Sequence, residues 1–506
     1  MTGLLATFLG SSDEPNPRGE LDGAAWRFVL PRAFDTVEWR CHGTAHQRDL
    51  DTLARHATVL RTIEPASRAI DDVPDRLVVG PERETDTAAC APVGIDLDGG
   101  DTGQRLELRF VGEELRGVAP LDDARARAVL ARRVGDDGPV PRSLKQRVKG
   151  SPRRVRRTEI GTLRGTAPGP PAWLVGAAAE AGVDIARHGW ALWSRGDFGS
   201  QKLIMFLIAP GETNSAAVVK IVRDPRFNDR LANESEMLRF MERFDAGVRG
   251  GAPSLLFHTT AWGSAVSAQT AVDGTDLRSE LVRRPELMGE VTTWMIELAS
   301  ATRTPVDPAE LRECLDELLA RYIAAYDVPA TTASFLRDQA ELLAETELHA
   351  VAQHGDAGPW NAVVTDGGRI AFLDWEAGER RGMPLWDLLY FLRSSSLIVS
   401  QRYPWQSRRS RLRRHLLAGS TSGDRVAEAV RTYVQATELD PRAVEPLYHL
   451  CWVHRAVKEA RRLVPDRRSL GVFHRFVLDG VAARDQPGLR GITLRTDDEG
   501  VRHGRL

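Results

Sequence analysis

The sequence reads VAQHGDAGPWNAVV from residue 351 to residue 364, and it reads IAFLDWE from residue 370 to residue 376. In both stretches a short apolar run stands beside a polar cluster, and the residues between them, Asp366-Gly-Gly, are typical of a turn. The two apolar runs therefore predict a β-hairpin.

Three oxygen-bearing side chains converge in this prediction. Asn361 precedes the first strand of the hairpin and Asp374 follows the second, so both lie at one end of it, beside the loop that carries Asp356. Phosphoryl transfer needs such a set. One carboxylate accepts or orients the acceptor hydroxyl, and hard oxygen ligands hold Mg²⁺ across the nucleotide phosphates.

The pattern His-Gly-Asp-x-x-x-x-Asn, followed by Asp-Trp-Glu, resembles the catalytic signature of the aminoglycoside phosphotransferase and choline kinase family, relatives of the protein kinases. The resemblance covers roughly residues 189–393, with a weaker helical continuation to about residue 480. It implies an α+β, protein-kinase-like, two-lobed fold with ATP and Mg²⁺ as cofactors. It also implies that Asp356 is the catalytic base and that Asn361 and Asp374 are the Mg²⁺ ligands.

Upstream residues fit the nucleotide-binding half of such a fold. A strand, a loop with Gly196 and Gly199, and a second strand form a predicted hairpin, whose glycines would let backbone N–H groups approach phosphates. Lys220 interrupts the apolar strand that follows, and Glu234 begins a helical segment fourteen residues later. By resemblance, Lys220 contacts the nucleotide phosphates and Glu234 anchors it, whereas the nearby Glu236 is expected in solvent.

Three further assignments come from the same comparison. The backbone from Gln269 to Val272 occupies the place of the interlobe hinge and is expected to meet the adenine. His354, beside a tight turn, is expected to hold the backbone and transfer no proton. Asp387 begins an apolar helix, and the resemblance suggests that it braces the catalytic loop. Many family members carry a second His in that loop, which here is Ala357-Gly-Pro-Trp360.

The beginning of the chain shows a different pattern. Three short strands are predicted at residues 36–39, 59–63 and 76–79, with a helical stretch, RDLDTLARHA, between the first two. This order is similar to the opening of S-adenosylmethionine-dependent methyltransferases, with Glu64 ending the second strand. The turn from Cys41 to His46 has mostly lost the required glycines, so we predict a small α/β module that is degenerate or purely structural.

A basic segment separates the two patterns. Eight Lys or Arg residues and no acid lie between Arg142 and Arg157, and a Gly- and Pro-rich stretch follows. The predicted division is an N-terminal α/β module over residues 1–140, a linker over 141–185, a kinase small lobe over 186–272, and a kinase large lobe with a helical acceptor-binding region over 273–506.

Composition limits the classes of partner. The chain has 506 residues with 68 Lys plus Arg against 70 Asp plus Glu, a balance that gives no support to general binding of nucleic acid. Its four cysteines have no metal-ligand or disulfide spacing, the first residues make a poor signal peptide, and no apolar run approaches the ~20 residues that span a bilayer. A cytoplasmic protein without a transmembrane segment is expected.

The acceptor is predicted to be a small molecule with a hydroxyl group. Residues 402–415 contain six Arg and no acid, which suits a neutral or anionic acceptor, such as a sugar or glycan precursor, better than a polycation. In the helical tail Val444, Leu447, Leu450 and Val453 recur at a spacing of three and predict an apolar face that completes the large lobe.

Other functions remain open at this stage. They are a binding-only pseudokinase, and an accessory kinase-like domain of an N-terminal methyltransferase-like protein. The intact site residues argue against the first, and the eroded glycine turn argues against the second. A protein kinase is disfavoured because the chain lacks His-Arg-Asp, Asp-Phe-Gly and Ala-Pro-Glu.

Overall fold

The computed structural model describes residues 3–5, 34–40, 57–63, 76–81, 93–97, 103–111, 114–136, 156–164, 169–194, 202–261, 263–399, 421–461 and 471–495. The chain divides into two compact units. The sheet unit consists of Pro17–Ala232 and Leu255–Ala271, and the helical unit consists of Met1–Asn16, Asn233–Ser254 and Val272–Leu506.

A four-stranded sheet forms the first part of the sheet unit, in the order β2-β1-β3-β4. Its strands are β1 Phe34–Arg40, β2 Ala57–Ile63, β3 Arg76–Pro81 and β4 Val93–Leu97. The first strand pairs in parallel with both the second and the third. The three strands predicted here are confirmed. The turn from Cys41 to His46, Glu64 and most of the intervening predicted helix lie outside the described residues.

An eight-stranded sheet follows, in the order β11-β12-β10-β9-β8-β6-β5-β7. Its strands are β5 Gly103–Val111, β6 Glu114–Pro120, β7 Arg156–Arg164, β8 Gly189–Ser194, β9 Lys202–Ile208, β10 Ala217–Val222, β11 Leu255–Ala261 and β12 Ser264–Thr270.

The structure differs from the predicted division where this sheet begins. Helix α1 is Ala124–Asp136 and helix α2 is Ala172–Glu180. Strand β7 and helix α2 lie inside the range predicted as a linker. β7 pairs with β5 from Arg164 opposite Gly103 to Arg156 opposite Val111. A basic sequence is compatible with this because β7 is last in the sheet order, and charged residues are common on edge strands.

Helix α1 provides the core on one face of the sheet. Its first turn is capped by Asp123, whose Oδ1 accepts hydrogen bonds from the N–H groups of Arg125 and Ala126, each at 3.0 Å. Leu130 of this helix approaches so closely that a Cβ on Gly117 would lie 2.5 Å from its side chain. A larger residue at this position of β6 would require the Leu130 side chain to shift. Leu130 belongs to a buried hydrophobic cluster that also includes Ala119, Ala126, Val129, Ala191, Phe206 and Ile208.

The helical unit combines many helices with two small sheets. Helix α3, Asn228–Met241, begins in the sheet unit and ends in the helical unit. The remaining helices are α4 Ala246–Arg249, α5 Leu277–Arg283, α6 Leu287–Ala301, α7 Pro308–Ala325, α8 Ala330–Ala344, α9 Trp386–Val399, α10 Thr421–Thr437, α11 Val444–Ala460, α12 Val472–Ala482 and α13 Pro487–Ile492.

The two small sheets have the strand orders β13-β16-β17 and β14-β15-β18. Their strands are β13 Gly274–Asp276, β14 Thr304–Pro305, β15 His349–Gln353, β16 Ala362–Thr365, β17 Ile370–Phe372 and β18 Glu379–Gly382. Strands β16 and β17 pair antiparallel with Ala362 opposite Phe372. The hairpin predicted from the sequence is confirmed.

Helix α11 lies at the centre of the helical unit. The predicted apolar face of Val444, Leu447, Leu450 and Val453 is buried, as expected. Burial extends further, because His449, Trp452 and Ala456 on the opposite face are also at most 1% exposed. The helix is therefore covered on several sides, where the spacing predicted one packed face.

The first residues of the chain pack in this same unit. Leu4 and Leu5 are 3% and 0% exposed. The N–H of Leu5 donates to the carbonyl of Arg381 at 3.0 Å, and the N–H of Leu4 donates to Glu310 Oε1 at 2.8 Å. Arg381 also donates to both oxygens of Glu310, each at 2.8 Å. Burial raises the pKa of Glu310, but the bonds from Arg381 and Leu4 outweigh it and lower the pKa overall.

No helix within the described ranges is both long enough and apolar enough to cross a membrane.

Candidate active site

The predicted catalytic loop connects β15 to β16 in the helical unit. Gly355 has φ +73°, and a Cβ there would lie 1.8 Å from the carbonyl oxygen of Ala377. Both the conformation and the close approach require glycine. The loop then turns, since Gly358 N donates to Asp356 O at 2.7 Å, and it ends in a short 3-10 helix, Pro359–Asn361.

Asp356 is held by neighbours on several sides. Nδ2 of Asn361 donates to its Oδ2 at 3.1 Å and to its backbone carbonyl at 2.9 Å. Nη1 of Arg455 lies 3.8 Å from Oδ1. The side chain of Asp356 is nevertheless 35% exposed, so a molecule from solvent can reach it. These contacts fix the carboxylate without enclosing it.

His354 connects the loop to the hairpin. Its Nδ1 accepts a hydrogen bond from the N–H of Asp356 at 3.2 Å, so Nε2 is the nitrogen that donates to the carbonyl of Leu373 at 2.9 Å. The ring, 1% exposed, packs against Phe372 and Trp375. With both nitrogens engaged by the backbone, the imidazole positions the loop, which agrees with its expected structural role.

Asp387, in the first turn of α9, binds the backbone of the same loop. Its Oδ2 accepts hydrogen bonds from the N–H of His354, at 2.5 Å, and from the N–H of Gly355, at 3.2 Å. Its Oδ1 lies 3.5 Å from Nη2 of Arg455. The carboxylate thus braces the backbone directly before Asp356.

Asn361 and Asp374 come together at one end of the hairpin. The N–H of Leu373 donates to the carbonyl of Asn361 at 2.7 Å, which aligns the residues flanking the two strands. Because Nδ2 of Asn361 is directed to Asp356, Oδ1 is the amide atom that can ligate a cation. Asp374 has φ +68°, a left-handed conformation that a residue with a Cβ adopts at a cost of about 1–3 kcal/mol. Strain of this size is concentrated at functional sites.

The predicted nucleotide-binding residues lie on both units. Lys220, in the interior of β10 opposite Ser267 of β12, is 6% exposed, and Gln269 on β12 is 4% exposed. Glu234, on α3, is fully buried, whereas Glu236 is exposed as expected. Val272 follows β12, and Gly196 and Gly199 lie outside the described residues. The mutual arrangement of these residues stays a prediction.

Two cations on α11 were not identified from the sequence. Nη1 of Arg455 and Nζ of Lys458 both donate to the carbonyl of Gly355, each at 2.9 Å. Arg455 is 4% exposed, and its guanidinium carbon lies 3.6 Å from the ring centroid of Tyr390. The available signal was their spacing of three in a helix rich in apolar residues, which puts both cations on one face.

Tyr390 on α9 is the other contact that the sequence analysis missed. It is 6% exposed, and its hydroxyl hydrogen-bonds to the side chain of Asp356. Burial raises the pKa of Tyr390 most, and the charge of Asp356 and the hydrogen bond to it raise the pKa further. The phenol therefore keeps its proton at neutral pH and is the hydrogen-bond donor to the aspartate.

Comparison with known proteins was made for the whole chain. Residues 206–447 match the model of the phosphotransferase enzyme family, which confirms the predicted resemblance for that part of the chain and its kinase-like fold. No curated protein matches the sequence.

Similar solved structures include three kinases of small molecules. A choline/ethanolamine kinase family protein from Mesorhizobium loti is 17% identical, with 60% of this chain and 91% of that chain covered and a TM-score of 0.36. A thermostable mutant of an aminoglycoside phosphotransferase, in ternary complex with ADP and hygromycin B, is 15% identical, with 66% and 98% covered and a TM-score of 0.36. A macrolide 2'-phosphotransferase from Brachybacterium faecium is 16% identical, with 63% and 97% covered and a TM-score of 0.34.

Proposed function

We propose that the part of the chain matching the phosphotransferase enzyme family carries an ATP-dependent phosphotransferase that phosphorylates a hydroxyl group of a small molecule. The observation that carries the proposal is the position of the Asp356 carboxylate. It is fixed by Asn361 and Tyr390 and remains accessible, in a loop braced by Asp387 and Arg455.

Asp356 is the proposed catalytic base. An acceptor hydroxyl that reaches its exposed oxygen would be oriented and relieved of its proton as the phosphoryl group arrives. Asn361 and Tyr390 donate to the same carboxylate, so they limit its rotation. The carboxylate is thereby held in one orientation.

Asn361 and Asp374 are the proposed ligands of Mg²⁺. An amide oxygen and a carboxylate at one end of a hairpin are hard donors, and Mg²⁺ commonly takes one or two protein ligands together with phosphates and water. When bound, the ion would neutralise charge on the nucleotide phosphates. The residues present fit this group.

Nucleotide binding is proposed to use the residues that the sequence predicts for it. Lys220 would meet its phosphates with Glu234 as the anchor of Lys220, the glycines at positions 196 and 199 would cover the phosphates, and the backbone from Gln269 to Val272 would meet adenine. Burial of Lys220 and Glu234 supports this, because an ammonium and a carboxylate in a protein interior need charged or hydrogen-bonding partners.

The acceptor is proposed to be neutral or anionic, with a sugar or glycan precursor as the favoured class, and the location is proposed to be the cytoplasm. The cations of Arg455 and Lys458 at the loop of Asp356 support the charge preference. A binding-only pseudokinase is the alternative, and the intact Asp356, Asn361 and Asp374 speak against it.

The experiment compares the wild-type protein with Asp356→Asn and with the matched control Asp366→Asn in the exposed hairpin turn. ADP release is screened with Mg²⁺-ATP and pooled sugars, amino alcohols and antibiotics. We expect Asp356→Asn to lose about 10²-fold or more in turnover and to retain nucleotide affinity by calorimetry. Wild-type turnover by Asp356→Asn on the same acceptor would refute the proposed role.

A further inference from the structure

An exposed aromatic ring stands in the catalytic loop. Trp360, directly before Asn361, is 42% exposed, and within the described ranges it shares this status among large apolar side chains with Val282 and Val472 alone. A single exposed apolar side chain is common on a protein surface, so it is the location of this indole that matters. Its place in the loop that carries Asp356 puts this ring at the proposed site of chemistry.

The position of the indole is fixed by its neighbours. A Cβ on Gly358 would lie 2.2 Å from Cε2 of Trp360, so the indole lies directly against the backbone there. Pro359, between the two, limits the backbone to one range of φ. The ring also meets Tyr390 edge-on, at 5.9 Å between centroids and 87° between planes. A fixed aromatic surface loses little conformational entropy when a ligand covers it.

Tyr390 relates the indole to the catalytic carboxylate. The same tyrosine that packs against Trp360 hydrogen-bonds to Asp356. Tyr390 therefore contacts both the exposed indole and the carboxylate at which an acceptor hydroxyl would bind. An acceptor larger than a few atoms could therefore contact the indole while one of its hydroxyls is at Asp356.

We propose that Trp360 forms an acceptor subsite, in which the C–H face of a sugar ring stacks on the indole while a hydroxyl of that ring reaches Asp356. This inference rests on the proposed function and specifies its substrate class. A sugar presents hydroxyls at its edge and polarised C–H groups on its face, and the π-cloud of an aromatic ring attracts those C–H groups. One ring can thus satisfy both residues at once.

The surrounding charges favour a sugar over a cation for this surface. The guanidinium of Arg455 already covers Tyr390, and Lys458 binds the carbonyl of Gly355. A cationic acceptor attracted to the indole would approach both of these like charges. A neutral or anionic ring has no such penalty.

The test begins with binding, independent of turnover. Saturation-transfer NMR is recorded for the full chain with Mg²⁺ and a non-hydrolysable ATP analogue, against methyl glucoside, methyl galactoside, N-acetylglucosamine and maltose, with choline and a phenol as the competing classes. We expect transfer to at least one sugar, concentrated on its C–H protons. Trp360→Ala should abolish it and Trp360→Phe should retain it.

Kinetics with the bound sugar provide the second readout. Trp360→Ala should raise KM for the sugar about tenfold or more with a much smaller change in kcat, because stacking contributes to acceptor binding. Gly358→Ala should resemble Trp360→Ala, because its Cβ displaces the indole. Trp360→Phe should stay close to wild type, and Asp366→Asn is the matched control.

The outcomes separate this inference from the proposed function. Binding of choline or the phenol without any sugar, or an unchanged KM in Trp360→Ala, would overturn the sugar subsite while ADP release still depended on Asp356. If the wild-type protein were folded by circular dichroism and released no ADP with any acceptor, the proposed phosphotransferase activity itself would be refuted.

Discussion

Replacement of Arg455 by Met should destabilise the helical unit and slow phosphoryl transfer together. The guanidinium donates to the carbonyl of Gly355 at 2.9 Å, lies 3.5 Å from Asp387 Oδ1, and covers the ring of Tyr390. Met keeps most of the volume but removes the charge and every donor. The change therefore isolates the polar contacts from the packing.

The expected magnitude follows from these contacts. A buried hydrogen bond from a charged group contributes about 1.5–3 kcal/mol, and removal of one partner from a buried ion pair costs about 3–5 kcal/mol. Asp387 keeps two backbone donors, and Lys458 still binds the carbonyl of Gly355, so the lower part of the range applies. We expect the free energy of unfolding to fall by about 3 kcal/mol. For a slope of about 3 kcal/mol per M, this lowers the urea midpoint by about 1 M.

The assay is urea unfolding followed by fluorescence, with ADP release measured on the same samples. Turnover should fall at least about tenfold, because the loop that positions Asp356 loses a support. Arg455→Lys, which keeps the charge without the planar fork, should lie between Met and wild type. Arg475→Met, at an exposed position of α12, is the control. A midpoint and turnover equal to those of the control would refute the reasoning.

Three further outcomes are expected. Asp374→Asn should weaken Mg²⁺-ATP binding about tenfold or more in calorimetry, and EDTA should do the same to wild type; equal affinity with and without Mg²⁺ would contradict the ligand assignment. Leu5→Ala should lower the free energy of unfolding by about 2–4 kcal/mol because the side chain is fully buried, and an unchanged urea midpoint would disprove that packing. Burial lowers the pKa of His449 to about 3 from the ordinary 6.5. Below pH 6.5 the unfolded chain therefore binds a proton at this residue that the folded chain does not bind. The free energy of unfolding should then fall by up to about 1.4 kcal/mol for each pH unit below 6.5. His449→Phe should flatten that slope in urea titrations between pH 7 and pH 5, and an identical slope would show that the imidazole is not buried neutral.

The catalytic loop could be predicted from the sequence because its geometry is local. The β16–β17 hairpin brings Asn361 and Asp374 to one end, and the turn residues between the strands announce the hairpin. The bracing role of Asp387 followed from the family resemblance. These features depend on short spacing along the chain, which a motif records directly.

Arg455 and Tyr390 could not be placed in the same way. The bond from Arg455 to the carbonyl of Gly355 joins residues 100 positions apart, so its existence depends on how α9 and α11 pack. Spacing predicts which face of a helix is apolar, but α11 is buried on several sides and its cations are covered as well. Tertiary packing decides such contacts, and one sequence does not encode it in a short pattern.

The predicted linker shows a second limit of composition. Eight basic residues between Arg142 and Arg157 indicated a solvated connection, yet the last of them belong to β7, hydrogen-bonded along β5. Backbone pairing requires only an available neighbour strand, and an edge position tolerates charge. The neighbour strand lies about 50 residues earlier, outside any local window.

The packing of Leu4 and Leu5 has a consequence for synthesis of the chain. Leu4 leaves the ribosome long before its hydrogen-bond partner Glu310, which follows 306 positions later. At about 5–20 residues per second, the segment would wait about 15–60 s before that partner exists. Two adjacent apolar side chains would meanwhile be available to chaperones, and the helical unit could complete its packing only after the ribosome had passed Arg381.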